Sequence, residues 1–255
     1  MKIVSTKTKP VGGGTHSRFF LNSFQKTSKD LLRVVGLTSA IVLATTTSSF
    51  AEDSSANKGN IYVGANMAAG FGFKDDKIGT ATNGDDITLS AGGGFGGSLY
   101  IGYVINPTFD VELSVGKQTS SMTPVSNATG DFSRNTVLLS ILMKKQVAGK
   151  HNLKFGGGFG TYSGAKLEMT FDDINLINAL KYEQEYESAT GVHVMLQDEF
   201  EINPSLYFVG GAKAYSVSYK EKKTFVVDGR TIDNTEVETV DGGGIDLMIG
   251  IVKYF

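Results

Sequence analysis

The last eleven residues, Ile245 to Phe255, read IDLMIGIVKYF. Ile245, Leu247, Ile249, Ile251 and Phe255 fall on one parity, broken only by Lys253. Asp246, Met248, Gly250, Val252 and Tyr254 fall on the other. A period of two predicts a strand with one apolar and one mixed face. Its length suits a tilted strand crossing a bilayer, about 9–11 residues. In hydrocarbon every backbone polar group needs a partner, so strands of this kind must close into a barrel.

The upstream chain repeats the pattern. Asn-Pro turns stand at Asn106-Pro107 and Asn203-Pro204, each followed by a small polar residue and flanked by alternating stretches. A third short turn spans Ala148 to Asn152. Longer polar segments run from Lys74 to Asp86, Thr119 to Asp131, Asp172 to Leu180 and Glu221 to Asp241. Short turns alternating with long loops predict an all-β, eight-stranded antiparallel up-and-down transmembrane barrel, short turns inside and long loops outside. The strands are expected at Asn60–Phe73, about Thr88–Ile105, Phe109–Gln118, about Phe132–Gln146, Leu153–Phe171, about Tyr182–Ile202, Leu206–Lys220 and the closing stretch. In the seventh, Leu206, Phe208 and Ala212 are taken as the lipid face because that choice sends Lys213 inward. Strands five to seven exceed the bilayer and are expected to project as an outer sheet. Tyr103 and Phe109 suit the inner aromatic girdle, and Tyr182, Tyr186 and Tyr219 are expected near or above the outer interface. Asp172 to Leu180, with Ile174, Ile177 and Leu180 at threes, suggests a single helical turn.

Gly250, Tyr254 and the terminal Phe255 resemble the closing strand of bacterial outer-membrane β-barrels, with Lys253 where an aromatic usually stands. The resemblance implies that this strand is an assembly signal read by the barrel-assembly machinery. It implies a place in the outer membrane of a Gram-negative cell, in contact with outer-membrane lipid and lipopolysaccharide. Such barrels include surface-interaction proteins similar to the OmpA transmembrane domain and OmpX, and hydrophobic-solute channels similar to OmpW. They also include the surface antigens of Rickettsiales, which GGSLYIGYVINPTFDVELSVG resembles. The expected role is structural or surface interaction through extracellular loops that meet a host or other external ligand. A small passive channel is the alternative.

The amino-terminal part has the order of a secretory signal. Residues 1–51 carry seven Lys/Arg and one acidic residue, Asp30; Val34 to Ala44 is a short apolar run, and small residues stand at Ser49 and Ala51. Cleavage after Ala51 leaves 52–255 as one barrel domain. Basic residues then fall from 24 to 17 and acidic ones from 26 to 25, a net charge of −8, which argues against nucleic-acid binding. No cysteine is present, so an exported fold draws its stability from the closed sheet rather than from disulfides.

Inner-parity charges form the candidate site: Asp110, Glu112, Lys144, Lys154, Glu199, Lys213 and Asp246. An unpaired charge inside so small a barrel is costly, so these are expected to pair. Lys144 is expected to meet Asp110 and Glu112, Lys154 to meet Glu199, and Lys213 to meet Asp246. The network reads as a polar plug, with a selectivity filter as the rival. Other signals are weaker. Gly92, Gly94 and Gly97 match a dinucleotide fingerprint only literally, because no buried parallel strand precedes and no helix follows. Asn127-Ala128-Thr129 is a chance sequon. His151 is read as solvated and His193 as a structural inward residue. Some small barrels are lipid A hydrolases whose lipid-facing His has a Ser two residues on; here that position is Met195. No enzyme activity, cofactor or metal is expected.

Overall fold

The computed structural model describes residues 61–80, 84, 86–122, 128–171, 180–233 and 238–255. The expected export segment 1–51, Asn127 of the sequon and residues 172–179 of the expected helical turn lie outside them; Leu180 opens a strand.

Among the described residues fourteen strands are formed. They are β1 (Ile61–Gly72), β2 (Asp76–Thr80), β3 (Asp86–Leu89), β4 (Gly94–Val104), β5 (Phe109–Ser121), β6 (Ala128–Ala148) and β7 (His151–Phe171). Then come β8 (Leu180–Tyr186), β9 (Ala189–Asn203), β10 (Leu206–Ser216), β11 (Ser218–Val227), β12 (Arg230–Asp233), β13 (Thr239–Asp241) and β14 (Gly244–Tyr254). Eight of them close a ring, β1-β4-β5-β6-β7-β9-β10-β14 and back to β1, with every neighbour antiparallel. The closing strand read from sequence completes that ring.

Register fixes the barrel's shape. Tyr62 pairs with Gly102, Gly102 with Glu112, Glu112 with Ser140, Ser140 with Gly158 and Gly158 with His193. His193 pairs with Tyr215, Tyr215 with Gly244, and Gly244 returns to β1 at Gly72. One circuit thus climbs from Tyr62 to Gly72, ten residues, over eight strands. With about 3.3 Å per residue and about 4.8 Å between strands, the strands tilt by about 40°.

Alternation sorts the wall. Leu99, Ile101, Leu113, Val115, Val137, Leu139, Ile141, Val194, Leu247, Ile249 and Ile251 point outward and are exposed, as a lipid face must be. Tyr103 and Phe109 stand near its lower edge. The outward positions turn polar at Lys117, Asn135, Thr161, Thr190 and Ser216, which mark its upper edge. On β10, Phe208 is outward while Tyr207 and Val209 are buried. His151 and Asp198 are also outward, low on the wall, and pair at 2.8 Å.

Three features differ from the sequence expectation. The second strand is broken: β3 and β4 are separated by Ser90–Gly93, and β3 pairs back on β2. The sixth and seventh strands are each interrupted, at Glu187-Ser188 and Val217, where barrel strands β9 and β10 give way to β8 and β11. Tyr186 and Tyr219, expected near or above the outer interface, are at that end but buried. They join Leu89, Phe132, Tyr162, Leu167, Val217 and Val240 in an apolar core at the upper end of the barrel. Upper β7, β8, β11 and β12 form the projecting sheet over this core.

Candidate functional site

The lumen carries two polar layers. The lower one is centred on Lys154, which is fully buried on β7. Its Nζ lies 2.9 Å from Asp110 Oδ2 on β5 and 2.7 Å from Glu199 Oε1 on β9. Lys144 approaches Asp110 at 3.4 Å. The tilt explains the meeting: residues on distant strands reach one height because each step round the wall shifts the level by about ten eighths of a residue. Glu112 takes a hydrogen bond from Tyr62 Oη at 3.4 Å rather than an ion pair with Lys144. Tyr254 Oη donates to Glu199 at 2.8 Å. Lys154 Nζ also sits 3.9 Å from the centre of the Tyr62 ring, a cation–π contact. Three carboxylates, two lysines and aromatic rings fill the section.

The rings fit because glycines face them across the strand pair. Tyr62 pairs with Gly102 and Tyr100 with Gly64. A Cβ on Gly64 would lie 2.1 Å from the Tyr100 ring, and one on Gly102 would lie 1.9 Å from the Tyr62 ring. Each glycine is the place where a tyrosine lies flat on the wall.

The upper layer is organised by Arg134, a residue absent from the sequence-derived set although it shares the inner parity of Leu138 and Leu142. It is 1 % exposed. Its guanidinium donates to the carbonyl of Ala91, to Gln118 Oε1 at 2.9 Å and to Tyr215 Oη at 2.6 Å. Tyr215 Oη in turn donates its one proton to Gly92 O and lies 3.3 Å from Asp246 Oδ1, and Gln118 Nε2 donates to Asp246 Oδ1 at 2.9 Å. Lys213 pairs with Asp246 at 3.1 Å. Ser120 Oγ donates to Ser90 O at 2.6 Å. The break between β3 and β4 is therefore a strap, Ser90–Gly93, laid across the lumen and held by its carbonyls. Gly92 passes so close to β14 that a Cβ would fall 1.9 Å from Gly243 O.

Between the layers, His193 shares a hydrogen bond of 2.8 Å with Ser140 Oγ. Both side chains are buried inside the wall. Among the described residues no group of three or more His, Cys, Asp or Glu is placed to hold a metal. Of the closing-strand residues, Gly250 packs against the β1 backbone, Tyr254 belongs to the lower layer, and Phe255 is exposed.

Known structures share this architecture. The outer-membrane protein OprG of Pseudomonas aeruginosa aligns with a TM-score of 0.51 at 14% identity, over 80% of this chain and 99% of that one. Neisserial surface protein A gives 0.47 at 14% identity, over 78% and 99%. A major outer-membrane protein of Thermus thermophilus gives 0.47 at 16%, over 76% and 99%. At such identities the likeness concerns the fold alone. No family model matches the chain, and no curated protein matches it in sequence. The closed ring of the chain and its likeness to OprG give it the fold of a small eight-stranded antiparallel β-barrel.

Proposed function

We propose that this protein is an outer-membrane surface barrel that works through its external β-structure, with the lumen shut. The reading takes the long strand extensions as the outer end. The carrying observation is the apolar core above the lumen, where Leu89, Phe132, Tyr162, Tyr186 and Tyr219 are buried among projecting strands. A chain that only had to pass solutes gains nothing from sealing its mouth with aromatic rings and an arginine-held strap. A rigid platform above the membrane suits the display of a surface to an external ligand. The β11–β12 hairpin, turned by Asp228 and Gly229 at positive φ, offers four exposed residues at its edge. Exposed Phe255 suits recognition by the assembly machinery. His193, turned away from the lipid face and bonded to Ser140, supports a non-catalytic role.

The test is conductance in planar bilayers. Wild-type protein should leave the bilayer resistance unchanged at neutral pH. A steady ohmic conductance from folded protein would replace this reading with that of a passive channel.

A further inference from the structure

A cleft opens in the outer wall where the interrupted strands part. Pairing of β9 with β10 ends at Val192–Ser216, and pairing of β8 with β11 resumes at Tyr186–Glu221. Glu187 N–H bridges the gap to Lys220 O at 2.8 Å. The parted strands leave a cleft of about 350 Å³. Four hydroxyl side chains line it, Ser188, Thr190, Ser216 and Ser218, together with Lys220 and Glu187. Val217, buried in the apolar core, closes its inner side. Thr190 and Ser216 also belong to the ring where the outward face turns polar, so the cleft stands at headgroup height.

Below it the wall is grooved. The outward residues of β10 descend through Ser216, Ala214, Ala212 and Gly210, all small, until Phe208 stops the run. Ridges flank them: Val192, Val194 and Leu196 on β9, and Ile245, Leu247 and Ile249 on β14. A Cβ on Gly210 would meet nothing within 4 Å. Six residues of strand span about 20 Å, and at about 40° of tilt they descend about 15 Å. That is one leaflet's share of a hydrocarbon core about 30 Å thick.

We propose that the cleft and groove together hold one outer-leaflet glycolipid, its hydroxylated or phosphorylated headgroup in the cleft and one acyl chain along β10. The hydroxyls exchange hydrogen bonds with sugar hydroxyls, and the Lys220 ammonium meets a phosphate. Small residues under the chain add contact area where a phospholipid on the smooth wall finds none. This site rests on the same orientation as the surface reading but not on a closed lumen, so conductance and lipid retention fail separately.

The test is native mass spectrometry of the full folded chain released from mild detergent after incubation with lipopolysaccharide or with phosphatidylglycerol. Ala214→Phe and Ser216→Trp fill the groove and cleft; Val137→Phe adds similar bulk on β6 as a control. Wild type and the control should keep lipopolysaccharide, and the two filled variants should lose about tenfold in retention. Lys220→Glu, an exposed change that leaves packing alone, should weaken retention by about fivefold and carries the test if a bulky variant misfolds. Equal retention of phosphatidylglycerol overturns the proposal. So does undiminished retention in Lys220→Glu or in folded filled variants. De-acylated oligosaccharide binding as well as intact lipid would also overturn it, because the groove would then contribute nothing.

Discussion

At the scale of single residues, Lys154 decides the lower layer. It is buried between two carboxylates, so its removal leaves like charges facing each other in a poorly solvated section. Lys154→Met should destabilise the barrel by about 3–5 kcal/mol. Glu199→Gln added to it should recover part of that loss, because one of the stranded charges is gone. Urea unfolding in liposomes measures the cycle, and additive losses would mean that the two side chains are not energetically coupled. The projecting sheet shows the opposite limit. Lys222 bonds to Glu185 on adjacent strands, and this hydrogen bond holds the Glu185 carboxyl below its usual pKa. A lowered carboxylate pKa adds stability above the ordinary carboxylate range and loses it as pH falls through that range. Both groups are solvent-exposed, so Glu185→Gln should cost less than about 1 kcal/mol at neutral pH and nothing near pH 3. The same unfolding assay at both pH values checks the sign.

At the scale of elements, alternation made the wall legible and left its interruptions dark. The lipid face of β4, β5 and β14 follows from parity alone, because one slip would send every apolar side chain inward. The Asn-Pro turns were equally plain: Asn106 Oδ1 accepts from the amides of Thr108 and Phe109, and Asn203 Oδ1 accepts from those of Ser205 and Leu206. Within the lumen, Lys154 with Glu199 and Lys213 with Asp246 were readable as partners of opposite sign on the inner parity. Asp110 as the shared anion was less so, since it depends on tilt. The strap was not readable. Its glycines announce only permissive backbone, while its course is set by Arg134, more than forty residues away. A charge count over inner positions of β6 finds Arg134, but nothing local says that its partners are carbonyls. The tyrosine–glycine pairs are a third case, in which the glycine matters for what lies over it. Gly64→Ala should cost about 1–3 kcal/mol by pushing on the Tyr100 ring, and Tyr100→Ala in the same chain should remove that penalty. If Gly64→Ala costs the same in both backgrounds, the ring is not what excludes the methyl group.

At the scale of the whole molecule, the proposed closed lumen makes the two polar layers closures in series. The upper one is the Ser90–Gly93 strap pinned by Arg134 and Tyr215, with the apolar core above it. The lower one is the Asp110–Lys154–Glu199 cluster with Tyr62, Tyr100 and Tyr254. Obstructions in series each block flow, so opening one leaves the path shut. Arg134→Ala frees the strap carbonyls and, through Ala91, loosens the apolar core packed on the strap, but it leaves the lower cluster intact and should not conduct. Lys154→Ala loosens the lower cluster, and the strap still spans the mouth, so it too should stay silent. The Arg134→Ala/Lys154→Ala double variant should show flickering conductance in planar bilayers. It should be cation-selective, because the four acids Asp110, Glu112, Glu199 and Asp246 then outnumber the two remaining lumen lysines, Lys144 and Lys213. Anomalous gel mobility of unboiled protein shows whether each variant has folded before its conductance is read. Conductance from Arg134→Ala alone, equal to that of the double variant, would mean that the lower cluster is no seal and that the strap alone keeps this barrel closed.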